Sequence, residues 1–112
     1  MHFRDFEIEA LQLLLGQQLG LDHLGRVLAE AELVSFEYSG CGYFVTVRHP
    51  SLPEARSVYS EPKVVGKSGE VEAGYLAFIE DRELMLECHT WGSIEVPASF
   101  REEQVRISVY GQ

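Results

Sequence analysis

The sequence is short of cysteine, proline, basic residues and long apolar runs, and each shortage excludes something. Two cysteines, Cys41 and Cys88, cannot build a disulfide scaffold. The opening stretch "MHFRDFEIEA" has no basic segment followed by an apolar one, so the expectation is a cytoplasmic protein with both thiols reduced. Apolar runs such as "LLL" at 13–15 fall far short of the ~20 residues a spanning helix needs, so no membrane association is expected. Nine bases stand against 18 acids, a net charge of −9. Such a field repels phosphate backbones and excludes nucleic acid as an expected partner. It attracts a basic protein and speeds the encounter. The surplus is even, 8 − 4 in residues 1–56 and 10 − 5 in residues 57–112, so it is not an acidic tail.

Motifs of catalysis are missing too. There is no G-x-S-x-G, G-x-x-x-x-G-K-[ST] or G-x-G-x-x-G. Gly40-Cys41-Gly42 lies in a hairpin pattern rather than between a strand and a helix, so its amides are not arrayed for phosphate. Cys41, Cys88, His2, His23, His49 and His89 show no C-x-x-C or H-x-x-x-H spacing. No catalytic, cofactor-binding or metal-binding residue is assigned, and no cofactor is expected.

What is present is periodicity. At 112 residues and 46% apolar, the chain reads as one domain, residues 1–112, with a helical part at about 4–31 and a sheet part at about 32–110. Phe6, Ala10, Leu13 and Leu14, widened by Leu11 and Leu15, form a helical stripe behind an Asp5 cap. Leu21, Leu24, Val27, Leu28 and Ala31 form a second, capped by Asp22. The period then drops to 2. Val34, Phe36 and Tyr38, and after a glycine-rich turn Tyr43, Val45 and Val47, are expected on one core-facing side of a hairpin. "SVYSEPKVVG" reads as one or two short strands broken at Pro62. "VEAGYLAFIE" and "ELMLECHTW" pair through Asp81-Arg82, either as a two-residue turn or as a four-residue loop from Glu80 to Glu83. Val105, Ile107 and Val109 mark a last strand. The fold class is α+β, with two N-terminal helices packed on one face of a mostly antiparallel sheet of about five to seven strands.

The segment "LMLECHTWG" decides which chemistry to expect. Strand parity puts Leu84, Leu86 and Cys88 on one face, and Met85, Glu87, His89 and Trp91 on the other. Cys88 and His89 therefore point apart and form no nucleophile pair. Cys88 reads as a buried, unreactive core residue. The other face carries Leu76, Phe78, Met85, Glu87, His89 and Trp91, with Gly74 opposite His89. Either the proline-containing loop and the last strand cover it, or it meets a partner. The candidate partner-binding residues are Phe78, Met85, Glu87, His89 and Trp91, with Trp91 as anchor. In length, charge and lack of catalytic motifs the chain is similar to bacterial immunity-type inhibitors of basic toxins, though no motif carries a family. The expected function is non-catalytic binding of a basic protein. Two other readings stand beside it: a small-ligand site or small enzyme around His89, Glu87, Gly74 and His49, and a homo-oligomer pairing through the second face.

Overall fold

The computed structural model describes residues 2–111. Helix α1 (Asp5–Leu19) and helix α2 (Leu21–Glu30) precede strands β1 (Glu32–Tyr38), β2 (Gly42–Arg48), β3 (Ser57–Ser68), β4 (Val71–Glu80) and β5 (Glu83–Thr90). A 3-10 turn at Ala98–Glu102 leads to β6 (Arg106–Val109). The strands form one sheet in the order β1-β2-β5-β4-β3-β6, antiparallel throughout. The helices lie on one face of it, with α1 packed against α2, β3, β4 and β6. This is the α+β arrangement its segregated periodicities imply.

The helical stripes bury as their spacing dictates. Phe6, Ala10, Leu11, Leu14 and Leu15 of α1 and Leu24, Val27 and Leu28 of α2 enter the core, but Leu13 and Leu21, expected in the two stripes, stay exposed. The expected caps shift. Arg4, not Asp5, is the N-cap of α1, and its N–H donates to Glu7 Oε1 at 2.8 Å. Gly20, at φ 81, ends α1 and caps α2, so Asp22 falls in the first turn instead. A left-handed φ is where glycine carries no Cβ penalty.

One sheet face meets the helices through Tyr43, Val45, Val47, Ala73, Tyr75, Ala77, Ile79, Leu84, Leu86 and Cys88, all nearly inaccessible. The first hairpin departs from expectation on its outer strand. Val34, Phe36 and Tyr38 are 45%, 43% and 43% exposed, although Val45 and Tyr43, opposite Phe36 and Tyr38, are buried together with Val47. The cause is position. β1 is an edge strand, and a bulge between Leu33 and Ser35 sets Leu33, not Val34, against Val47. "SVYSEPKVVG" lies within a single twelve-residue strand whose pairing with β4 breaks between Tyr59 and Val64, around Pro62.

Glu80 pairs with Glu83, so the Asp81-Arg82 connection is the two-residue turn. Both turn residues are left-handed, at φ 53 and φ 64, which non-glycine residues adopt at some strain. The 49–56 loop holds them there. Asp81 N–H donates to Glu54 O at 3.0 Å and Arg82 N–H to Pro53 O at 3.0 Å. The Arg82 guanidinium donates to Pro50 O at 3.0 Å and Leu52 O at 2.7 Å. That loop therefore closes an end of the sheet, with Leu52 buried in the core. The segment after β5 crosses back on the helix side. It inserts Val96 and Phe100 into the core, Phe100 edge-on to Phe6, and "SIEV" forms no strand. β6 extends the sheet at the β3 edge. The proline-containing loop thus lies at the end of the sheet and β6 beside it, and from that end of the chain Tyr110 reaches the second face at Trp91.

Candidate functional site: the open sheet face

The second face is laid out by cross-strand rows. One runs Ser35–Thr46–Met85–Phe78–Val58 and the next Glu37–Phe44–Glu87–Leu76. A third runs Gly42–His89–Gly74–Val65–Ser108. All five candidate residues belong to this side. Phe78 and Met85 are direct cross-strand partners and border a depression of about 180 Å³ with Thr46, Glu80 and Glu83. Glu87 lies next along β5, then His89, then Trp91 just past its end. Their side chains are half-buried rather than sealed. Among the described residues the ionic side chains in the rows of this face are six acids (Glu32, Glu37, Glu72, Glu80, Glu83, Glu87) and three bases (Arg48, Lys67, Arg106). Arg48 is paired to Glu83, and Lys67 and Arg106 sit together at the β3–β6 corner, so the centre of the face is acidic.

Gly74 explains how His89 and Trp91 sit. A methyl group at position 74 would lie 2.5 Å from His89 Nε2 and 2.8 Å from Trp91 Cε3. The space that glycine opens is filled by the chain's own imidazole and indole. Trp91 then packs edge-on to Tyr110, with ring centroids 5.3 Å apart, and its backbone N–H donates to Glu72 O at 3.0 Å. His89 Nδ1 is buried without a hydrogen-bond partner; its nearest acid oxygen, Glu87 Oε2, is 3.8 Å away.

His49 does not join them. It follows Arg48, which pairs with Glu83, whereas His89 pairs with Gly42 at the opposite end of the same ladder. At ~3.3 Å per residue the two imidazoles belong to ends of the sheet about 20 Å apart. His49 belongs instead to a chain of hydrogen bonds that periodicity did not reveal. Ser51 N–H donates to His49 Nδ1 at 3.1 Å, which makes Nδ1 an acceptor and leaves the proton on Nε2, 2.9 Å from Glu30 Oε1. Ser51 Oγ lies 2.8 Å from His49 Nδ1 and 2.8 Å from His23 Nε2. The order serine–histidine–carboxylate resembles a hydrolytic triad, but nearby donors are already engaged. Ser51 N–H serves His49, and Arg82 serves Pro50, Leu52 and Glu54, so none of these is free for an oxyanion. The network ties the 49–54 loop to α2. A depression of about 470 Å³ beside it is lined by Glu30, Glu32, Arg48, His49, Pro50 and Arg82.

A second group unseen in the sequence is a buried ion pair on the covered face. Glu7 is fully buried and accepts from Arg101 Nε and Nη2, each at 2.7 Å, and from Tyr43 Oη at 2.5 Å. Arg101 also stacks over the Phe36 ring, 4.9 Å from its centroid. Burial opposes the Arg101 charge, but the Glu7 hydrogen bonds and charge outweigh it and the pKa is raised. In the sequence Glu7 is one of several acids at a helix start, and Arg101 lies 94 residues away. Only the fold brings them together. Burial also raises the pKa of Tyr43 and Tyr75 strongly, and pushes the Cys88 thiol up to about 12. Cys88 is therefore an inert core group, while Cys41 is exposed at the first hairpin. Among the described residues no three His, Cys, Asp or Glu side chains converge as a metal site, and no helix is long and apolar enough to cross a membrane.

Comparison of the chain with family models, with curated proteins and with solved structures finds no match.

Proposed function

We propose that the chain is a non-catalytic protein-binding module, an immunity-type inhibitor that engages a basic partner through the open sheet face. The observation that carries this reading is a half-exposed apolar face, Phe44, Leu76, Phe78, Met85 and Trp91, whose centre is ringed by glutamates and lies under no helix. Interfaces combine such apolar and aromatic anchors with a polar rim, and monomers rarely leave large patches of this kind bare. Phe78 and Met85 form the centre, Trp91 the anchor at one end, and Glu87, Glu80 and Glu72 face the partner's cations. A ligand pocket over Gly74 has less support, because His89 and Trp91 fill that space.

The test is calorimetric titration against the purified products of the genes flanking its own. The expected result is one-to-one, sub-micromolar binding to a basic product, with stoichiometric inhibition of that product's activity. Met85→Glu or Trp91→Ala should weaken it by at least roughly tenfold. Raising salt from about 50 mM to about 500 mM should slow association. Absence of sub-micromolar binding to either product, or binding indifferent to both substitutions, overturns the reading. So does light scattering that finds a stable dimer closed through this face.

A further inference from the structure

We propose that the free edge of β1 is a second docking site, which takes up an extended, basic segment of a partner protein by strand addition. Among the described residues nine large apolar side chains are exposed, and four of them, Leu33, Val34, Phe36 and Tyr38, lie on this one seven-residue strand. β1 ends the sheet, and no backbone hydrogen bond among the described residues reaches its outer side.

The free groups can be named. Ser39 N–H donates to Gly42 O at 2.9 Å, so the pair that closes the hairpin is a hydrogen-bonded one. Antiparallel pairs alternate, so Glu37 and Ser35 bond inward to β2, and Phe36 and Tyr38 turn their N–H and C=O groups outward. An added strand finds its main-chain partners there, and the Phe36 and Tyr38 rings lie half-open beside it.

Edges left to solvent are normally blunted by lysine, proline, shortness or a bulge. The opposite edge follows that pattern: β6 has four residues and carries Arg106. β1 has seven residues, no proline and no base, and its Val34 bulge leaves the Ser35–Tyr38 half regular. Its charges are Glu32 and Glu37, with Glu30 at the end of α2 just before it. A strand alternating apolar residues with lysine or arginine complements both the apolar side chains and these acids. A second copy would bring its own net −9 against the same acids. That the added strand is basic rests on the basic-partner reading above; the edge shares none of the apolar residues Phe78, Met85 and Trp91, although Glu37 borders both sites.

The experiment is amide exchange and chemical-shift mapping of the labelled protein with a capped Lys-Val alternating octapeptide, and with its Glu-Val counterpart. The expected result is shifts confined to 33–39, with the Phe36 and Tyr38 amides newly protected by at least roughly tenfold by the lysine peptide alone. Phe36→Pro removes an outward N–H and should abolish binding, whereas Phe36→Ala keeps that N–H and should retain part of it. Met85→Glu should leave peptide binding intact while abolishing complexes of the open face, so the two proposals fail separately. If Phe36→Pro does not fold, amide protection in the unaltered protein still decides. Shifts at Met85 and Trp91 instead, no protection at millimolar peptide, or equal binding of the glutamate peptide overturns the proposal. Protection of Phe36 and Tyr38 in a peptide-free dimer also overturns it, and makes a second copy the occupant.

Discussion

The two faces of the sheet are built from the same strands, one residue out of step. On β5, Leu84, Leu86 and Cys88 are sealed beneath helices and the returning 91–105 segment, while Met85, Glu87 and His89 between them remain half-accessible. The covered face tolerates a charged pair only by enclosing it: Glu7 is met by Arg101, Tyr43 and the Arg4 amide. The open face leaves Glu87 and His89 3.8 Å apart with an unpaired Nδ1. Each face keeps one buried polar atom without a partner, the Tyr75 hydroxyl on the covered side and His89 Nδ1 on the open side. The difference lies in the charges: Glu7 is enclosed and met by several donors, whereas the glutamates of the open face stand among half-accessible apolar and aromatic side chains.

The sharpest way to break this contrast is Arg101→Ala. It strands a fully buried carboxylate and should cost about 3–5 kcal/mol, much of the ~5–15 kcal/mol that holds a domain folded. Urea unfolding checks it; a loss below about 1 kcal/mol would mean that Glu7 finds another partner. Next come adjacent residues on opposite faces. Leu86→Ala should cost about 2–5 kcal/mol by leaving a cavity. Met85→Ala, on the half-exposed side, should cost under about 1 kcal/mol. Equal losses would show that the second face is as well packed as the first. A smaller effect is expected of Gly74→Ala, which pushes His89 and Trp91 off β4 and should cost about 1 kcal/mol. Tryptophan emission should shift with it; unchanged emission would place the indole elsewhere.

The mildest test is chemical. At pH 8 a thiol reagent should titrate Cys41 quickly and Cys88 only after denaturation. The folded Cys88 pKa, about 12, lies above its ordinary value of 9.0. The Cys88 contribution is therefore fully present below pH 9 and is lost as pH rises toward 12, because the unfolded thiol ionises first. Alkaline titration of unfolding free energy for Cys88→Ala against the parent isolates that slope.

Much of this was legible before folding. A period of 3.6 gave way to one of 2, and both predicted helices and the antiparallel hairpins follow from it. Strand parity separated Cys88 from His89 and grouped Phe78, Met85, Glu87, His89 and Trp91 on one side. The missed features are the non-local ones. Parity grouped Phe36 and Tyr38 with Tyr43 and Val45, yet strand order left them at an edge beyond the helices. Asp81-Arg82 is a poor composition for a two-residue turn. It is held left-handed by carbonyls of a loop some 28 residues earlier, Pro53–Arg82 and Glu54–Asp81, closer to tertiary contact than to local preference. Glu7 looked like a helix-start acid because nothing near it announces Arg101.

By itself, then, the order of residues determined which side chains share a face, because side-chain direction follows from backbone geometry over a few residues. It also determined the acidic field, which needs no fold to add up. Only the tertiary structure decided which face is sealed and which is open, which strand ends the sheet, and which charge is buried. Those depend on contacts between segments distant in the chain, and no local periodicity encodes them.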